Sequence, residues 1–120
     1  MLRLLEGLPA NVVGIEAVGK VEADNYRTVL DPAVAKAAEG GSKVRLLYLL
    51  GAAFEGYSAG AAWQDTKLGA AHWSSWERVA VVTDHDAVAH AVKAFAWMIP
   101  GEVRVYGTGE RSAAESWVGG

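Results

Sequence analysis

The sequence predicts an α/β fold: a mixed β-sheet covered by helices, in the element order β-β-α-β-α-β-α-β-α. Three observations carry that prediction. KVRLLYLLG (residues 43–51) and ERVAVVTD (residues 77–84) are nearly continuous runs of large apolar side chains, as expected of strands whose two faces are both covered. DAVAHAVKAFAWMIP (residues 86–100) instead spaces Val88, Val92, Phe95 and Ile99 at three- and four-residue steps, which makes one core-facing helical stripe. Segments of the two kinds alternate along the chain, and that alternation implies a layered fold with right-handed crossovers.

Residues 2–6 and 12–19 read as an opening hairpin, joined across Gly7-Leu8-Pro9-Ala10-Asn11. Val13, Ile15 and Ala17 fall on one side of its second strand. Residues 22–39 switch to helical spacing, with a stripe of Tyr26, Val29 or Leu30, Ala33 or Val34, and Ala37. Gly40-Gly41 stops this helix. Pro32 lacks a donor and clashes one turn back, so a kink or two abutting helices are expected near Asp31. The central strand 43–51 leads to a helix at 59–72 that is rich in small residues. Gly60 and Gly69 lower its propensity, so packing must hold it. After the strand 77–84 comes the helix 87–99, with Asp84 or Asp86 as its cap and Pro100-Gly101 as its stop. EVRVYG (102–107) is the last strand, and Thr108 can cap a short final helix running through Trp117.

The chain of 120 residues predicts one domain, 1–120, able to bury about two-thirds of its potential surface without disulfides or metals. A formal net charge of -3 lacks the basic excess of a nucleic-acid binder. Without cysteine there is no disulfide framework, thiol catalysis or cysteine ligation. MLRLLEGLP is too short for a signal peptide, and LLYLLGAAF is too short for a membrane span. A cytoplasmic protein is expected, with peripheral attachment to a membrane as the one departure from that.

Catalytic patterns do not assemble. His72, His85 and His90 have no HExxH spacing, so no metal or cofactor is expected. GTGER after the last strand lacks the P-loop lysine and reads as turn and cap chemistry. GYSAG (56–60) matches GxSxG letter for letter. A triad around Ser58 would still need an acid and a histidine from later loops, with His85 as its base. The chain leaves little room for a substrate pocket, and Ser58 reads instead as a cap for the helix 59–72. Glu55, Asp65, Asp84 and Asp86 could approach one another at the carboxyl ends of the strands, where open α/β sheets usually place ligands. No enzymatic activity is expected.

Five tryptophans are the remaining signal, at 63, 73, 76, 97 and 117. Trp63, Lys67 and Ala70 share one helix face, and Trp73 and Trp76 flank the loop that follows. On the helix 87–99, His90, Lys93 and Trp97 lie off the core stripe, and Met98 aligns with Ala94. Burying an aromatic side chain is worth about 1.5–3 kcal/mol, so several exposed indoles imply a partner. Indoles beside lysines suit a membrane interface, and they suit a dimer contact as well. The bland alternative is that the rings fill gaps between small-residue helices and the sheet.

GLPANVVGIEAVGKVEADNY, VRLLYLLGAAFEGYSAGAAWQDTKLGAAH, WERVAVVTD and HAVKAFAWMIPGEVRVY together resemble the SpoIIAA-like family. Its members are small bacterial domains related in fold to STAS domains and often labelled STAS/SEC14 domain-containing. The resemblance runs from about residue 7 to residue 118, and the combination of KLG, VVTD, HAVKAF and IPGEVRV is its most specific part. It implies a mixed sheet with helices that can open apart. By analogy with SEC14 domains it also implies apolar or lipid-like ligands, or a membrane surface. Anti-sigma-factor antagonists of the STAS fold carry a DSSG-like motif whose serine is phosphorylated. The matching residues here are Tyr57-Ser58-Ala59-Gly60, with tyrosine in place of the aspartate.

Two functions follow as expectations. The first is a non-enzymatic binding module for an apolar small molecule, a lipid or a membrane surface. It would use the helices 59–72 and 87–99 through Trp63, Lys67, Trp73, His90, Lys93, Trp97 and Met98. The second is a STAS-type regulatory module that binds a protein partner or a second copy of itself, with Ser58 as a phosphorylation switch.

Overall fold

The computed structural model describes residues 1–9, 12–39, 43–51, 54–57, 76–95 and 101–120. Its main sheet has five strands: β1 (Leu2–Leu4), β2 (Val12–Ala17), β4 (Val44–Leu50), β6 (Trp76–Thr83) and β7 (Glu102–Tyr106), in the order β1-β2-β4-β6-β7. β1 is antiparallel to β2, and the remaining pairs are parallel. A second, two-stranded parallel sheet joins β3 (Gly19–Val21) to β5 (Phe54–Tyr57). Among the described residues the α-helices are α1 (Ala23–Asn25), α2 (Asp31–Ala37), α3 (Asp86–Phe95) and α4 (Arg111–Gly119). The fold is therefore a mixed α/β sheet with covering helices, as the sequence predicts.

The opening hairpin is present, with Leu2 opposite Ala17 and Leu4 opposite Ile15. Its first strand is shorter than 2–6, although Leu5 still donates its backbone N–H to the Gly14 carbonyl at 2.8 Å. The expected single strand 12–19 divides in two. Gly19 adopts φ +63°, a left-handed conformation that only glycine takes without strain. This bend carries β3 out of the main sheet and onto β5, a strand that the apolar pattern did not reveal.

Pro32 acts as the sequence suggests, through a widened turn rather than a break. A π-helical segment, Tyr26–Leu30, separates α1 from α2, and the Asp31 N–H bonds to the Tyr26 carbonyl five residues back. The proline then falls in the first turn of α2, where a missing donor costs least.

Parallel strands are added in one direction only, β2 to β4 to β6 to β7. Right-handed crossovers then place the connecting helices on one common face. Val34 of α2 and Val88 and Val92 of α3 do share one cluster, with Ile15, Leu46, Tyr48, Val79 and Val81 of the sheet. The opposite face gathers Val12, Leu47, Leu49, Ala80 and Val82 beneath Ala114 and Val118 of α4. Alternation along β4 explains the division, since Leu46 and Tyr48 point one way and Leu47 and Leu49 the other.

A register shift at the start of β6 modifies that alternation. Val44 pairs with Trp76 but Arg45 pairs with Arg78, which leaves Glu77 as the extra residue. The bulge re-aims Trp76 into the same cluster as Val79. Gly101 lies against it: a Cβ there would come within 2.4 Å of the Glu77 carbonyl oxygen, so only glycine fits without displacing backbone.

Candidate functional site

α3 is built from the segment with the strongest helical pattern, and it rests on the sheet at an incomplete seat. Val88 and Val92 face the core, yet both are only half-buried. The other flank carries His90 and Lys93, both exposed. The sequence places these two off the core stripe, and the structure agrees. Ser58, Trp63, Lys67, Trp73, Trp97 and Met98 lie outside the described residues, as does the helix expected at 59–72.

Two tryptophans can be followed. Trp76 is 6% exposed and belongs to the core. Trp117 of α4 is half-buried, with the guanidinium of Arg78 5.5 Å and that of Arg104 4.6 Å from its ring centroid. Tyr106 completes its surroundings at 6.4 Å. Neither indole is a free contact surface: one fills the core, and the other is a cation–π anchor.

The arginines around Trp117 escaped the sequence reading. Arg45 donates from Nη1 to the Val118 carbonyl at 3.0 Å and from Nε to Glu77 at 2.5 Å. Arg78 donates to the Trp117 carbonyl at 2.7 Å. Both guanidinium groups thus satisfy carbonyls in the last turn of α4, where the helix dipole favours cations. The available signal was Arg45 and Arg78 standing at equivalent places near the starts of two apolar strands.

At the carboxyl ends of β6 and β7 a polar junction replaces the expected cap. The Asp84 carboxylate accepts the Thr108 N–H at 3.0 Å and also the Thr108 hydroxyl. Hydrogen bonds from the Thr108 hydroxyl and then its N–H, with a smaller attraction from His85, hold the Asp84 carboxyl below its ordinary value of 3.8. Thr108 is therefore a tie to Asp84 and not the cap of the last helix. Glu110 closes the turn before that helix, accepting the Gly107 N–H at 3.0 Å and donating its own N–H to the Gly107 carbonyl at 2.9 Å, and its side chain makes no cap bond to the helix itself. Thr83 Oγ1 accepts the His85 N–H at 3.0 Å, and the His85 ring meets Phe54 edge-on at 5.3 Å.

These groups hold loops together and are not arranged as an acid–base or nucleophilic set. Among the described residues, no three of His, Asp and Glu gather closely enough to hold a metal ion. The expected approach of Glu55, Asp84 and Asp86 does not form such a cluster, and Asp65 lies outside the described residues. An open depression of about 330 Å³ lies at the opposite ends of the strands, lined by Lys43, Trp76, Glu77, Gly101 and Glu102. Its rim of one cation and two carboxylates does not suit an apolar ligand. No helix among the described residues is long and apolar enough to cross a membrane.

Comparison with known proteins assigns the fold. A protein of the DUF3478 family from Shewanella loihica PV-4, solved by crystallography and described as having a SpoIIAA-like fold, superimposes with a TM-score of 0.74 at 24% identity. The match covers 98% of this chain and 92% of that one. No curated protein matches this chain. The profile of the SpoIIAA-like family matches residues 12–119, which include both parallel-sheet faces, α3 and α4. The chain belongs to the SpoIIAA-like family, whose members are generally non-enzymatic.

Proposed function

We propose that the protein is a non-enzymatic binding module for an apolar or lipid-like ligand, free or presented at a membrane surface. The contact would be made by α3, by its sequence continuation to residue 99 and by the segment 59–72. The observation that carries this reading is the seat of α3. Its inward valines, Val88 and Val92, remain half-buried, while His90 and Lys93 stand exposed on the other flank. An amphipathic helix with incompletely covered apolar residues and a cationic side fits an acyl chain or an interface. Trp97 and Met98 follow α3 directly in sequence and Trp63 and Lys67 stand in the other segment, which adds the residue types such a contact uses.

Liposome flotation and solvent extraction of the purified protein test this. The expected result is flotation with anionic vesicles, weakened severalfold by Lys93→Glu and by Trp97→Ser, or an extracted lipid in the protein preparation. No association with neutral or anionic vesicles, together with no extracted lipid, would sink the proposal.

A regulatory module of STAS type is the second reading. It is favoured by the position of Ser58 in sequence directly after β5, comparable with the phosphorylated serine of anti-sigma-factor antagonists of the STAS fold, to which the SpoIIAA-like family is related. Pull-down from the native host with the wild-type protein and with Ser58→Glu separates the two readings. A protein partner gained or lost on substitution supports the switch, and identical partners or none count against it.

A further inference from the structure

The main sheet ends on β7. Its inner edge pairs with β6, and among the described residues no strand pairs its outer edge. Such an edge is a row of backbone donors and acceptors ready to template another strand. Proline, lysine or a bulge commonly protects an edge of this kind. The five residues of β7, Glu-Val-Arg-Val-Tyr, contain no proline or lysine, and their register with β6 is unbroken. Glu102 and Arg104 project from the same side of the sheet with side chains 65% and 53% exposed, 3.8 Å apart. Stacking on Trp117, with its guanidinium 4.6 Å from the ring centroid, already fixes the direction of Arg104.

We propose that β7 is the contact strand of a homodimer in which two copies of β7 pair antiparallel about a two-fold axis at Val103. The charges select that register. With the axis at Val103, Glu102 of each copy stands opposite Arg104 of the other, so two complementary cross-strand pairs form on one face. Moving the axis to Arg104 sets the two arginines against each other and leaves Glu102 opposite Tyr106. Moving it to Val105 leaves Glu102 without a charged partner. At the Val103 axis Gly101 faces Val105 of the other copy. The contact is isologous, so it closes at two copies and does not propagate. The two five-stranded sheets become one sheet of ten strands.

The test is a charge exchange read by sedimentation or by light scattering across the micromolar range. Wild-type protein is expected to be a dimer whose dissociation constant rises with salt. Arg104→Glu places four carboxylates at the contact and Glu102→Arg places four guanidinium groups there. Each variant alone should be a monomer, with self-association weakened about tenfold or more. An equimolar mixture of the two variants restores both opposite-charge pairs and should form a mixed dimer. Circular dichroism on each variant separates loss of contact from loss of fold, and the mixture provides the same control because it contains no further substitution. A wild-type protein that stays monomeric throughout overturns the proposal. So do variants that still dimerise alone, or a mixture of folded variants that fails to associate.

Discussion

On one face of the main sheet Ile15, Leu46, Tyr48 and Val81 lie under α2 and α3. On the other, Leu47, Leu49, Ala80 and Val82 lie under α4. The first face is closed by aliphatic and aromatic burial and holds a buried hydrogen bond between the Tyr26 and Tyr48 hydroxyls at 2.9 Å. The second has a smaller apolar cluster among the described residues and adds Arg45 and Arg78, bonded to the last carbonyls of α4, with Trp117 between Arg78 and Arg104. Burial is non-directional and lets a helix settle shallowly, as α3 does. Arginine-to-carbonyl bonds fix the position of a helix end. The contrast separates a face closed by burial alone from a face that also carries directional anchors.

The largest effect should come from either core. Ile15 and Leu47 are both fully buried, on opposite faces. Ile15→Ala and Leu47→Ala should each cost about 2–5 kcal/mol, measured by urea unfolding. If the anchored face around Leu47 relaxes less into the space left, Leu47→Ala falls at the upper end of that range. Equal losses would mean that the two faces are equally rigid.

Arg78→Ala breaks the comparison at its most specific point. It removes the charged donor to the Trp117 carbonyl and one of the two cations at that ring, and about 1–2 kcal/mol should be lost. Hydrogen exchange should quicken in α4 while α2 keeps its protection. Uniform acceleration across both helices would show that α4 is held by burial, as α2 and α3 are.

The smallest effect belongs to the Asp84 junction, which ties the end of β6 to the turn before α4. Its carboxyl titrates below the ordinary value when folded. The unfolded state therefore takes up a proton first as pH falls. The contribution of Asp84 is complete above 3.8 and fades as pH drops through the lower folded value. Acid titration of stability should accordingly be shallower for Asp84→Asn than for wild type as pH falls below 3.8. Parallel curves would remove Asp84 from the forces holding α4.

Much of the fold was legible because apolar periodicity reports burial directly. KVRLLYLLG became β4, ERVAVVTD became most of β6, and the stripe containing Val88 and Val92 turned toward the core. Pro32 marked a helical irregularity because its missing donor acts locally. β5 stayed hidden since Phe-Glu-Gly-Tyr is short and contains a glycine, leaving too few residues for a period to show. Thr108 looked like a cap because serine and threonine favour that place. Asp84, 24 residues earlier, took its hydroxyl and its N–H instead. Of the candidate contact residues, His90 and Lys93 were correctly read as lying off the core stripe of α3.

By itself the sequence determined the α/β class, the two central strands, the inward stripe of α3 and the absence of thiol chemistry. Each of these is set by side-chain type and by spacing within one element. Tertiary structure alone decided that β3 leaves the main sheet for β5, that Trp76 enters the core over a bulge, and that Trp117 is held between two arginines. Only there was it decided that Asp84 binds Thr108 and that β7 is the last strand of the main sheet among the described residues. Each of these pairs residues from different elements, and local periodicity carries no record of which strand becomes the neighbour of which.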